Sequence, residues 1–285
     1  MPSKIVDIHP HIVSTDAERY PITPLEGKRS EWSKKRSVNF EEMIAAMDEA
    51  GVDRAALVHS STTYGFDCSY LADSVAQQSK RVTGVFSVNM MADDAPDKIR
   101  YWACERKLGG LRLYTAGGTH ETQASWLSDP KTFPGLETAR DLNLSVCVSL
   151  KPVGVPQLVV LLKQFPTIRF LIDHMMEPPI LEGEPYTNSQ FLFDLAQYDN
   201  VHLKMTTLNV RNSRKEHGSP ETFFPLLVRK FGASRIAWGS NYPSAQGSLK
   251  EMVDEVRSAL SCLPEKDQEM ILAGTALSLY PVLAN

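Results

Sequence analysis

The sequence predicts a closed, distorted (β/α)8 barrel of the TIM type, and three observations predict it. Eight short apolar runs recur along the chain, each followed by a segment of helical period or a long loop. A length of 285 residues with 42% hydrophobic content suits such a barrel and supplies a substantial core. Polar residues with chemical potential stand at the ends of several runs, far apart in sequence, as parallel strands converging on one face require. The chain, 1–285, reads as one such domain.

The strand runs are 4–8, 54–59, 81–88, 109–114, 144–150, 168–173, 201–206 and 235–239. Lys4-Ile-Val-Asp-Ile alternates as a short buried strand does, and His9 and His11 follow two apart, on one strand face. Residues 12–38 are charged and proline-bearing, a loop at the barrel mouth. Phe40 to Ala50 has helical period, with Asn39 as N-cap, Glu42 three residues on and Gly51 just past the end. The second run closes on His59, the fourth carries Arg112 and Tyr114, and the fifth carries Ser149. A helix over Gly154 to Phe165 stops at Pro166. The sixth run leads into His174 and a second long loop, 175–188, whose Met175 and Met176 line an apolar pocket or pack the loop. Lys204 lies in the seventh run and Asn241 just after the eighth. An open doubly wound sheet is the runner-up. It wants a Gly-rich phosphate loop, and Tyr114-Thr-Ala-Gly-Gly lacks that spacing and reads as a turn.

Composition removes several functions. The formal net charge is −4 with both signs scattered, which recommends neither nucleic acid nor an anionic membrane as partner. No apolar stretch approaches bilayer length and no signal peptide is visible, so a cytoplasmic protein is expected. Cys68, Cys104, Cys147 and Cys262 form no Cys-x-x-Cys pair and read as reduced thiols.

The candidate site is the rim where strand ends meet: His9, His11, His59, Arg112, Tyr114, Ser149, His174, Lys204 and Asn241. Two adjacent imidazoles are what a metal site or an acid–base centre needs. Packing alone accounts for His59, Lys204 or Tyr114 taken singly; their coincidence on one rim is harder to explain that way.

Four stretches carry a resemblance: Val6-Asp-Ile-His-Pro-His-Ile, Gly110-Leu-Arg-Leu, Phe170-Leu-Ile-Asp-His-Met and Arg235-Ile-Ala-Trp-Gly-Ser-Asn-Tyr-Pro. In this order and at these separations the chain resembles the amidohydrolase superfamily, in the metal-sparing lactonase branch typified by 2-pyrone-4,6-dicarboxylate lactonase. The resemblance implies a hydrolase that opens a lactone or related cyclic ester of a small carboxylic acid in a catabolic pathway. It implies that His9, His11 and His174 polarise a carbonyl and that no metal is required. In the wider superfamily the same positions bind zinc or manganese, so these three are the ligands if a divalent metal is bound. Arg112 matches an arginine that grips a substrate carboxylate.

Two departures bear on chemistry. The family aspartate after the last strand, which takes a proton from water, is here Asn241, and an amide has no pKa near neutrality. Either a neutral His59 or His174 is the base while Asn241 orients water or substrate, or the barrel is disarmed, natively or through an engineered Asp-to-Asn change. Much of the dianion clamp is also missing. Ser149 replaces a tyrosine, Glu177 falls near one arginine position, and Arg211 is one residue out of register with another. Arg112 with Lys204 would still hold a mono-carboxylate. The alternatives are a metal-dependent amidase or decarboxylase of a small acid, and a barrel that binds without turnover. Oligomeric state is left open, a homo-oligomer included.

Overall fold

The strands β1 (Val6–Asp7), β2 (Arg54–Val58), β3 (Val82–Phe86), β4 (Gly110–Tyr114), β5 (Ser145–Ser149), β6 (Phe170–Ile172), β7 (Val201–Thr206) and β8 (Ile236–Gly239) form one parallel sheet in sequence order. The computed structural model describes residues 4–117, 119 and 122–284; the last glycine of Tyr114-Thr-Ala-Gly-Gly lies outside them. The sheet curls into a nearly closed (β/α)8 barrel. At the seam Ile8 N donates to Trp238 O at 3.2 Å, and Val58 N donates to Pro10 O at 2.8 Å beyond the end of β1.

Each predicted run contains its strand, and most observed strands are trimmed at the ends. β6 stops at Ile172 because the chain then enters a left-handed turn, with φ of 54, 54, 60 and 51° at His174, Met175, Met176 and Glu177. The predicted capping box is present: Asn39 Oδ1 accepts from Glu42 N at 2.9 Å and Glu42 Oε2 from Asn39 N at 2.8 Å. Gly51 ends that helix at φ 68°, a conformation that costs glycine nothing. The second predicted helix spans Val155–Gln164.

The pleat sorts side chains with period two. Leu111 and Leu113, Val146 and Val148, Phe170 and Ile172, Leu203 and Met205 pack outward against the helices in one large core. The inward positions divide along the barrel axis. Where the strands begin, Val6, Val85, Cys147, Leu171 and Ala237 pack on Ala276, Leu279, Tyr280 and Leu283 near the end of the chain. Ser145 Oγ donates to Leu279 O at 2.7 Å, tying this plug to the start of β5. Gly110 is required there, since a Cβ would lie 2.9 Å from the Tyr280 ring.

Where the strands end, the interior becomes polar. His9 and His11 lie beyond β1 rather than on it, so strand alternation is not what makes them neighbours. Ile8 N and His11 N are tied to Trp238 O and Tyr242 O, and this pinned segment sets the two rings 4.9 Å apart. Met175 and Met176 both pack in the core, and Met176 also reaches the cavity. Among the described residues no helix is long and apolar enough to cross a membrane.

Candidate active site

A cavity of about 570 Å³ opens at the ends of the strands. His9, His11, Arg112, Tyr114, Ser149, His174 and Asn241 line it, together with Asp173, Glu177, Lys151, Trp32, Ser60, Ser61, Thr62 and Ser244. The loop of residues 12–38 contributes Trp32, whose ring stacks on His11 at 5.2 Å.

His59 and Lys204 do not line it. The buried His59 ring donates Nε2–H to Gly65 O at 3.0 Å, bracing the turn that follows β2. The expectation that His59 touches substrate or serves as base is therefore corrected. Lys204 is fully buried, its Nζ 2.9 Å from Asp173 Oδ1 and 3.2 Å from Cys147 Sγ. It is the counter-ion of Asp173 rather than a grip for a substrate carboxylate.

Asp173 is the residue that sequence reasoning missed. Its Oδ2 accepts from Arg112 Nε at 2.9 Å, its Oδ1 faces Lys204, and His9 Nδ1 stands 3.7 Å away. Burial opposes its ionisation, but Lys204 and then Arg112 outweigh burial and hold the carboxyl well below the usual range. The signal was in the pleat: Asp173 is two residues past inward Leu171, in phase with Arg112 and Lys204 on their strands.

The histidines are neutral. Burial, then Lys204, pushes His9 well below its ordinary value. Burial and Arg112 bring His11 to about 3. Burial brings His174 to about 4, with Asp173 pulling the other way. Hydrogen bonds fix where each proton sits. His11 Nδ1 is 2.9 Å from Val58 O, which only accepts, so Nδ1 carries the hydrogen and Nε2 is bare. His174 Nδ1 lies 3.0 Å from Thr206 Oγ1. Thr206 Oγ1 donates to Asn209 Oδ1 at 3.2 Å, so it accepts from His174, whose Nε2 is bare as well. Two imidazoles thus present acceptors. His11 and His174 thus turn Nδ1 away from the cavity, toward Val58 O and Thr206 Oγ1. His9 retains ring nitrogens with no hydrogen-bond partner among the described residues.

Other placements follow from local geometry. Asn241 has φ 60°, a left-handed conformation that asparagine tolerates better than most residues. Ser149 Oγ donates to Ala116 O and so anchors the loop after β4. The Arg112 guanidinium stands 5.0 Å from the centre of the Tyr114 ring.

A divalent metal is the next question. Bare Nε2 atoms with Nδ1–H held behind them are the form that metal-binding histidines take. The rest of the donor set does not fit. Asp173 is already neutralised by two cations that would repel an ion, and the position after β8 offers an amide. Among the described residues no three His, Cys, Asp or Glu side chains are grouped to hold one ion.

Comparison with known proteins agrees with this architecture. Over 209 residues the chain is 27% identical to L-fucono-1,5-lactonase of Burkholderia ambifaria, covering 73% of this chain and 71% of that protein. It is 22% identical over 266 residues to 4-sulfomuconolactone hydrolase of Rhizobium radiobacter, covering 90% and 81%. A Pseudomonas putida structure described as a 2-pyrone-4,6-dicarboxylic acid hydrolase superposes with a TM-score of 0.76 at 18% identity, over 99% of each chain, a likeness of fold. The Amidohydrolase family model matches residues 6–282, nearly the whole chain, and the protein belongs to that family.

Proposed function

We propose that the protein is a metal-independent hydrolase of lactones, preferring polyhydroxylated ones. The relatives named L-fucono-1,5-lactonase and 4-sulfomuconolactone hydrolase support a lactone as substrate. The observation that carries the reading is a bare, neutral imidazole nitrogen, His174 Nε2, on a cavity also lined by the Arg112 guanidinium and the Asn241 amide. That pairs a base for water with donors for a carbonyl oxygen.

The lactone carbonyl oxygen accepts hydrogen bonds from the terminal amino groups of Arg112 and from the Asn241 amide. Water attacks the carbonyl carbon and gives a proton to His174 Nε2. The tetrahedral oxyanion then collapses, the ring C–O bond breaks, and the leaving oxygen takes the proton from His174. The product is an open-chain hydroxy acid. Each oxyanion donor contributes roughly 10²–10³ in rate. His174 is favoured over His11 as base because the Asp173 carboxylate beside it raises its proton affinity, while Arg112 lowers both and is the largest charge acting on His11.

The cavity wall supports the substrate class. Ser60, Ser61, Thr62 and Ser244 make the wall polar, the first three with hydroxyls bonded to Thr63, Ser87 and Ser30, and Trp32 offers a flat face. Arg112, Lys151 and the buried Lys204 against Asp173 and Glu177 leave one net positive charge, which does not match the two charges of a dianion.

The test is proton release from a lactone panel in the presence of a chelator. Sugar-derived 1,4- and 1,5-lactones are expected to turn over, and 2-pyrone-4,6-dicarboxylate is not. Turnover confined to the pyrone dicarboxylate, or absent throughout, overturns the reading.

A further inference from the structure

We infer that Thr206 and Asn209, neither of which lines the cavity, are positioning residues that lock His174 in its Nδ1–H tautomer and leave Nε2 as its one proton acceptor. The lock deepens the proposed function, which relies on that acceptor. The chain of donors has a single solution. Asn209 is oriented by two backbone groups: Oδ1 accepts from Thr206 N at 2.9 Å and Nδ2 donates to His174 O at 2.8 Å. An amide turned the other way would face N–H with N–H and oxygen with oxygen. Its Oδ1 therefore takes the one hydroxyl hydrogen of Thr206. Thr206 Oγ1, fully buried, then has only lone pairs to offer His174 Nδ1.

The same amide holds the ring's backbone. His174 opens a run of four consecutive non-glycine residues at positive φ, a conformation disfavoured for L-residues. The Asn209 bond to His174 O fastens the first of them. One side chain thus fixes both where the imidazole stands and which nitrogen carries its hydrogen. The pair sits at the end of β7 and the start of the helix Thr207–Asn212, opposite β6, so adjacent strands of the barrel cooperate in presenting one ring.

The experiment uses full-length protein labelled with ¹⁵N-histidine, with ring nitrogens read by long-range ¹H–¹⁵N correlation near neutral pH. His174→Gln assigns the His174 signals by their loss. The expected wild-type pattern has His174 Nδ1 protonated and Nε2 bare, and Thr206→Ser retains it. Thr206→Val shifts the ring toward mixed tautomers and lowers kcat for a lactone about 10–100-fold with KM little changed, while Thr206→Ser restores kcat. A wild-type His174 protonated at Nε2 overturns the inference by itself, even if Thr206→Val does not fold. An unchanged tautomer in folded Thr206→Val overturns it too. Lactone inactivity of the wild type sinks the proposed function instead, and the spectra still decide the lock.

Discussion

At the end of the barrel where the strands begin, the interior is filled by Ala276, Leu279, Tyr280 and Leu283 packed on small apolar strand residues. At the end where they finish, the same interior holds Arg112, Asp173, Lys204 and three histidines. The change takes two residues. On β5 it runs from Cys147 to Ser149, on β4 from Gly110 to Arg112, and from Leu171 of β6 to Asp173 just beyond it. One pleat therefore serves two purposes. Apolar contact at one end supplies cohesion, so charges at the other can be arranged for chemistry.

Substitutions at the two ends should have opposite effects. His174→Ala is expected to lower kcat for a lactone by about 10²–10⁴. Its unfolding free energy should stay within about 1–2 kcal/mol of the parent. Leu279→Ala should do the reverse, costing about 2–5 kcal/mol in chemical denaturation while folded protein keeps its kcat. Equal damage to stability from both would show that the two ends are not separable.

A smaller effect concerns pH. His11, His59 and His174 are neutral when folded because burial lowers them to about 3, 4 and 4, from an ordinary 6.5, and burial lowers His9 well below that ordinary value too. Groups depressed by folding contribute stability that is full above the unfolded value and is lost as pH falls toward the folded one. The denaturation midpoint should therefore drop between pH 7.5 and pH 5. Asp7 works in the opposite sense: burial raises it from 3.8 to about 6, so its contribution is present at low pH and lost as pH rises through that value. It offsets only part of the histidine slope. A midpoint unchanged between pH 7.5 and pH 5 would mean that the mouth histidines are solvated and charged in the folded protein.

Much of this was legible in the sequence because it is local. The eight strands were visible as apolar runs, and the helix Phe40–Ala50 as a capping box closed by Gly51. Trp32 was not, since a long loop carries it to the mouth and no periodicity marks it. His59 was misread because a strand end gives a height on the rim but not the direction in which the ring turns; here it turns to the carbonyl of Gly65. Lys204 was misread for a related reason: it lies two residues deeper than Thr206 and meets Asp173 below the cavity. Asp173 went unseen beside the more conspicuous His174, because its partners Arg112 and Lys204 lie on other strands. The tautomers of His11 and His174 likewise depend on Val58, Thr206 and Asn209, which only the closed barrel brings near.

The most direct test of a histidine base working without metal compares lactone turnover by the chain as it stands with its Asn241→Asp variant, each with chelator and with added zinc. The Asn241 protein is expected to turn over, chelator to leave the rate unchanged, and the aspartate not to raise kcat by orders of magnitude. Turnover that appears only with aspartate at 241, or that disappears on chelation, would contradict a histidine base working without metal.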